Sequence, residues 1–329
     1  MWPIAFLGLA YPFLLVSNFI FVLFWGITRK WYTLISLFII LLGWNYIGRF
    51  LQLRFSGGDS FTRGDIHLLS YNVRMFNKYD WEEAAVGDSI IQYAIDRGTD
   101  IACFQEYLTV NAPGRFSKDA LNSFLHDFPF RHEYFTYNDI PSWSTGIVIF
   151  SKLPIVRKGT LLFENSYNAC SFSDLLYQED TIRVFNVHLQ SIYLKENSYS
   201  IINDPLNKLD QKRLDEMKDI SGRLKNAFIK RARQVDEVSR LIRRSPYPVI
   251  VCGDFNDTPL SYTYQKIRGD LSDAFRDAGT GLSNTYRGDF PSFRIDFIFY
   301  SPYFRALGYQ RDRVSYSDHY PVSCQLSKK

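Results

Sequence analysis

Gly253-Asp254-Phe255-Asn256-Asp257 follows directly on the apolar run Val249-Ile250-Val251-Cys252. A strand that stops in such a sequence puts a carboxylate and an amide at the mouth of a sheet. Asp254 there can hold a water or a cation, and Asn256 can donate to an anionic oxygen. Taken alone, the segment makes an equally good turn. Ser317-Asp318-His319-Tyr320-Pro321 sets an acid beside a histidine, a pair suited to metal or acid–base chemistry that is also common in turns. Asn186-Val187-His188-Leu189 ends another apolar run. Residues alternate faces in a strand, so Asn186 and His188 point the same way; a single histidine in such a place is more often a satisfied core or edge residue. Gln105-Glu106 follows Ile101–Phe104, and Tyr71-Asn72 closes Ile66–Ser70.

The elements that must carry these groups are strand-like. The runs Ile66–Asn72, Ile101–Phe104, Gly146–Phe150, Ile182–His188, Val249–Cys252 and Ile295–Tyr300 are β-rich and bounded by Gly, Pro, Asn or Asp. Helical spacing appears between some of them. Trp81–Arg97 reads as a helix ending at Gly98, and Ala227–Arg244 repeats Val235, Val238, Leu241 and Ile242 on one face before Ser245-Pro246. Ser191–Lys225 is polar and charged, and reads as a loop plus an exposed helix. The mixture predicts an α/β sandwich, with sheets in the middle and helices outside. The four cysteines, Cys103, Cys170, Cys252 and Cys324, form no CxxC pair and no zinc spacing. Cys103 and Cys252 lie in apolar runs, as buried thiols do, and cysteine usage does not fix a redox compartment.

In chain order the motifs are SYNV (Ser70–Val73), FQE (Phe104–Glu106), GIVIFSKLPI (Gly146–Ile155), NVHL (Asn186–Leu189), GDFND (Gly253–Asp257), RIDFIF (Arg294–Phe299) and SDHYP (Ser317–Pro321). From Asp65 to the end, this ordered set resembles the endonuclease/exonuclease/phosphatase superfamily, which includes DNase I-like nucleases, neutral sphingomyelinases and inositol polyphosphate phosphatases. The resemblance implies a four-layer α/β (α+β) fold, two mixed β-sheets flanked by helices. It also implies Mg²⁺ in a cleft at the strand ends, with Mn²⁺ as a substitute.

By the same resemblance, Glu106 is the main metal-binding carboxylate, with Asn72 beside it and Asp318 as the acid next to the reacting histidine. Asp254 aligns or deprotonates the attacking water, and Asn256 donates to the phosphoryl oxygen. His188 helps the leaving group, and Asp296 and His319 form an Asp–His pair at the phosphate. The chemistry is consistent with these roles. A phosphodiester concentrates negative charge, which Mg²⁺ on oxygen ligands neutralises. Carboxylate donors without a thiolate suit a hard cation. An aspartate on a histidine fixes its tautomer and favours the imidazolium.

The N-terminal region has a different character. Ile4–Ile27 and Trp31–Ile47 are uncharged apolar runs separated by Thr28-Arg29-Lys30. A bilayer span needs roughly 20 such residues. Trp25, Trp31, Tyr32, Trp44 and Tyr46 fall near the run ends, where aromatic belts form. A transmembrane helical hairpin over residues 1–50 is expected, then a linker over 51–64 and the catalytic domain over 65–329. A signal peptide followed by a buried helix fits less well, because no basic stretch precedes the first run and a second run follows at once. That missing basic stretch also fits a start upstream of Met1. The Arg29-Lys30 turn favours a cytoplasmic turn with the catalytic domain outside the cytoplasm, at a bacterial inner membrane. Arg49, Arg54 and Arg63 argue the opposite.

Of the 38 Lys+Arg and 34 Asp+Glu, five bases and one acid precede residue 65, leaving 33 of each behind. The net charge of +4 therefore belongs to the N-terminal region, and bulk charge offers no argument for nucleic-acid binding. The expected function is a membrane-anchored, Mg²⁺-dependent phosphoesterase, cleaving a phospholipid-like or other small phosphodiester by metal-activated water. The lipid bilayer is its partner through residues 4–50. A membrane-tethered nuclease acting on DNA or RNA fits the fold as well. A catalytically inactive binding or scaffold protein is the rival of another class, and the full set of acid, amide and histidine positions argues against it.

Overall fold

In the computed structural model, which describes residues 2–54, 64–77, 86–110, 126–135, 143–192, 210–288 and 292–329, two six-stranded sheets lie face to face. The first contains β2 (Ile66–Asn72), β3 (Ile101–Val110), β4 (Phe130–Phe135), β5 (Trp143–Ser151), β13 (Phe304–Arg311) and β14 (Val322–Lys328), in the order β13-β14-β2-β3-β5-β4. The second contains β6 (Ile155–Leu162), β7 (Ala169–Tyr177), β8 (Asp180–His188), β9 (Val249–Asp254), β10 (Ser272–Asp273) and β12 (Asp296–Tyr300), in the order β10-β12-β9-β8-β7-β6. Both are mixed, with β2–β3 and β8–β9 as parallel pairs.

The layers follow from which apolar faces need cover. Leu68, Cys103, Ile149, Val184, Ile250, Cys252, Ile298 and Cys324 form the buried seam between the sheets. All four cysteines are free and buried. On the outer face of the first sheet, Ile90, Ile91 and Ala94 of helix Val86–Asp96 pack with Tyr71, Phe104 and Phe150. On the outer face of the second, Val235, Val238 and Ile242 pack with Phe185, Val251 and Phe299. Those residues belong to one long helix, Gln211–Arg243, whose first turn is capped by Asp210 accepting from the Arg213 N–H. It extends the helix read from Ala227 by more than four turns toward the N-terminus. Residues 81–85 of the first expected helix and 193–209 of the expected polar segment lie outside the described residues.

At the N-terminus, Trp2–Ile27 is one 26-residue apolar helix, α1, roughly 39 Å long. Among the described residues it is the one helix long and apolar enough to be a membrane span or a signal sequence, and none of that stretch is buried. The second apolar run forms a helix of 10 residues, α2 (Thr33–Leu42), about 15 Å long and half of a bilayer core, followed after Gly43 by a single turn, Trp44–Ile47. It packs along α1, with the Tyr11 hydroxyl donating to the Gly43 carbonyl, so a hairpin of two full spans is not shown. Beyond it, Leu51–Gln52 (β1) pairs with Gly281–Leu282 (β11), and Arg49 donates to the Pro259 carbonyl. Residues 55–63 of the expected linker lie outside the described residues.

Candidate active site

Parallel pairing brings the chemistry to one end of the sandwich. Asn72 ends β2 opposite Gln105 of β3, and His188 ends β8 opposite Asp254, the last residue of β9. Asp296 opens β12 directly across from Asp254 on the other side. Two irregularities aim the side chains. The β3–β5 register shifts between Phe104 and Tyr107, and Glu106 sits in that bulge at φ 52°. Gly253 takes φ 138°, and a Cβ there would collide with the Val187 carbonyl oxygen, so only glycine lets β9 pass this close to β8. Asn256, at φ 53°, holds the turn that follows. Left-handed backbone at non-glycine residues stores strain and concentrates at functional sites.

Asp254 is the hub. Its Oδ1 accepts from the Asn256 backbone N–H at 2.8 Å, and its Oδ2 accepts from the side-chain amides of Asn256 and Asn72, both at 3.0 Å. The Asn72 amide also donates to Glu106 Oε1 at 3.1 Å, while its oxygen accepts from the Arg74 N–H at 3.0 Å. Asn72 therefore turns its N–H₂ toward both acids and orients them. Asn256 spends its amide on Asp254 and on the Leu189 carbonyl.

His319 Nδ1 lies 2.9 Å from Asp296 Oδ2, and its Nε2 lies 3.8 Å from Asp254 Oδ2. Burial works against a charged ring, but the Asp296 and Asp254 carboxylates more than offset it and raise the His319 pKa to about 10. His319 is thus an imidazolium at neutral pH. Asp254 is pushed up to about 6, chiefly by burial, with the imidazolium pulling the other way. It remains ionised at pH 7. Asp254, Asp296 and His319 also lie close enough together to share an ion. A protonated ring bonded to Asp296 offers no lone pair, however, so we read that trio as an acid–base group rather than a metal cage.

His188 Nε2 lies 3.7 Å from Glu106 and 3.8 Å from Asp254. Burial, aided by the charge on His319, lowers its pKa, so the ring is neutral and these contacts are not salt bridges. Its Nε2 finds no partner among the described residues. Glu106 is 31% exposed at the cavity mouth. Burial followed by the nearby Asp318 carboxylate raises its pKa, although the Asn72 amide stabilises the ionised form. Asp318, held by Ser317 Oγ at 3.3 Å, stands 3.5 Å from Arg74 Nε.

The site suits a divalent cation. Glu106, Asp254 and Asp318 line one cavity, all hard oxygen donors. Asp296 Oδ1 is buried without a partner among the described residues. Burial, with a smaller contribution from neighbouring carboxylates, keeps Glu106 and Asp254 above their usual range, and a cation in the cavity would relieve that cost.

Three further features were not legible as functional from the sequence. Asn186 donates across the seam to the Phe104 and Val148 carbonyls, each at 2.9 Å, and accepts from Gln105 at 2.7 Å. These two motif amides join the sheets beneath the site rather than entering it. Thr285 Oγ1 accepts from the Ile295 and Asp296 N–H groups and fixes the start of β12. Arg231, 1% exposed, lines the cavity, bonded to Asp257 and the Gln190 carbonyl with Nη2 unpartnered among the described residues. Only the unassigned Asp257 of GDFND hinted at it.

Similar chains support the fold. An endonuclease/exonuclease/phosphatase family protein from Bacteroides thetaiotaomicron aligns at a TM-score of 0.53 with 19% identity, over 79% of this chain and 97% of that one. A mannosyl-6-phosphatase from the same organism aligns at 0.51 with 19% identity, over 79% and 99%. Sphingomyelinase C from Streptomyces griseocarneus aligns at 0.51 with 15% identity, over 79% and 98%. No curated protein matches the chain. Residues 1–50 match the family model of a domain of unknown function. Residues 69–319, which span every residue assembled above, match the model of the Endonuclease/Exonuclease/phosphatase family, and the chain belongs to that family, whose members hydrolyse phosphoester bonds and generally depend on a divalent metal.

Proposed function

We propose that this chain is a Mg²⁺-dependent hydrolase of a phosphodiester in a lipid headgroup or another small phosphoester, held at a membrane through residues 4–50. The observation that carries the reading is Asp254, bonded by two asparagines and standing within 3.8 Å of a charged His319, on the same cavity as Glu106.

Glu106 and Asp318 would hold the cation, with Asn72 orienting Glu106. Bound there, a divalent cation neutralises charge on the phosphoryl group and so lowers the barrier to attack. Asp254, ionised at neutral pH, accepts the proton of the attacking water. The water oxygen bonds to phosphorus as the bond to the leaving oxygen breaks; the leaving oxygen takes up a proton from solvent and departs as the alcohol, and Asp254 returns its proton to solvent. The His319 imidazolium, oriented by Asp296, donates a hydrogen bond to a phosphoryl oxygen where charge builds up. Arg231 lines the same cavity with its charge paired to Asp257. His188, neutral, stands between Glu106 and Asp254, and the family resemblance gives it the role of helping the leaving group.

The exposed apolar surface of α1, with Leu23 at 66% and Ile27 at 82% exposure, supports the anchor. The Arg29-Lys30 turn supports a catalytic domain outside the cytoplasm, which a topology reporter fused after Lys329 tests directly. The activity test compares headgroup release from vesicles with oligonucleotide cleavage, in matched Mg²⁺ and salt, using the full chain. Headgroup release that outpaces DNA cleavage supports the reading. Efficient DNA cleavage with steep salt dependence and no headgroup release replaces it with a nuclease.

A further inference from the structure

The catalytic cavity, about 180 Å³, carries Glu106, Asp254, Asp318 and His319 on one wall. The rest of the lining includes the apolar side chains Leu9, Ile192, Phe228 and Phe293, with the ion-paired Arg231 and Asp257 beside them. Leu9 belongs to α1, far in sequence from every residue of the active site. Its presence is not a glancing contact. The Phe6 ring meets Phe228 edge-on at 5.4 Å, and the Phe13 ring meets Phe293 edge-on at 6.3 Å. Positions 6, 9 and 13 fall on one helical face, so the two aromatic pairs seat α1 on either side of Leu9. Beside them, the backbone at Gly8 approaches Leu260 closely enough that a Cβ would touch its side chain at 3.6 Å.

We infer that this wall is an apolar subsite for the hydrocarbon adjoining the scissile phosphoester, so that α1 is a part of the substrate site as well as an anchor. The inference rests on the phosphoesterase reading and names its substrate as a membrane lipid phosphoester. A polar alcohol or a nucleoside would leave its hydroxyls unpaired against Leu9, Phe228 and Phe293, which cannot bond them. A hydrocarbon chain loses no hydrogen bond there and gains burial. The helix that supplies the wall is itself predominantly apolar, with no acid or base between Trp2 and Ile27. A chain leaving the cavity along it would pass over apolar surface into the bilayer.

The test is equilibrium binding of methylphosphonate and hexylphosphonate, non-hydrolysable and water-soluble, to the full chain in vesicles with Mg²⁺, corrected for empty vesicles. Each buried methylene is worth about fourfold in affinity, so burying half of the five added by the longer chain gives roughly 30-fold tighter binding. Phe228→Ala and Leu9→Ala should each cut that ratio by about 5- to 10-fold while leaving methylphosphonate affinity within about twofold. Phe228→Leu, which keeps the apolar surface, should restore most of it. No preference for the hexyl chain, or a preference that both alanine variants keep, overturns the subsite. Hexyl preference without hydrolysis of any phosphoester would keep the subsite and overturn the phosphoesterase reading instead, so the two failures are distinguishable.

Discussion

Asn72 Nδ2 lies 3.0 Å from Asp254 Oδ2, so an amide at the end of one sheet holds a carboxylate at the end of the other. The same nitrogen reaches Glu106. The relative placement of the acid that would hold a cation and the acid that would take a proton therefore depends on one side chain. Removing a group that orients such ligands typically costs 10- to 100-fold. Asn72→Ala is expected to lose about that much in turnover while keeping the wild-type circular dichroism spectrum. Unchanged turnover would show that the two acids hold their positions without it.

His319 and Asp296 play unequal parts. His319 reaches toward the cavity, whereas Asp296 lies behind it, 1% exposed. His319→Ala is expected to reduce kcat by about 10²-fold or more, the usual cost of a lost transition-state donor. Asp296→Asn should cost less, because it orients the ring rather than donating to the phosphate. Near wild-type kcat for His319→Ala on the preferred phosphoester would remove the histidine from the mechanism.

A histidine away from the site contributes to acid stability. His132 on β4 is buried, with Nδ1 3.2 Å from Ser173 Oγ and Nε2 3.3 Å from Thr160 Oγ1. Burial, then the charge of Lys158, lowers its pKa to about 4. A depressed folded pKa means that the unfolded chain takes up the proton first. The contribution of His132 is therefore complete above pH 6.5 and is lost as pH falls toward 4. Urea midpoints of wild type should fall more steeply over that window than those of His132→Gln. Parallel curves would mean that the ring titrates normally in the fold.

Much of this architecture was legible because buried strands end abruptly in polar residues. Val249–Cys252 running into Gly253-Asp254, and Ile182 running to His188, identify both a strand and its chemical end. Strands β6 and β7 were not read. Ser171, Ser173 and Asp174 are all buried on β7 and break the apolar pattern that reveals a strand. The N-terminal half of helix Gln211–Arg243 was read only as an exposed helix within Ser191–Lys225, and its continuity with the helix from Ala227 was not, since Lys, Asp and Arg crowd it and its apolar positions are sparse. Glu106 could be named from its motif, but the bulge that turns it into the cavity depends on the register with β5, a long-range property. Leu9, Phe228, Arg231 and Phe293 share one cavity across most of the chain's length. No local spacing encodes that.

Glu106 is expected to bind a divalent cation without which Asp254 and His319 do not turn over a phosphoester. The most direct measurement is the hydrolysis rate of a phosphodiester by the full chain, before chelation, after chelation, and after Mg²⁺ or Mn²⁺ is returned, with Glu106→Gln run alongside. The expected result is turnover that disappears in excess chelator, returns with the added cation, and stays absent in Glu106→Gln at the same cation concentration. Full turnover in excess chelator, or a Glu106→Gln variant as fast as wild type, would contradict it.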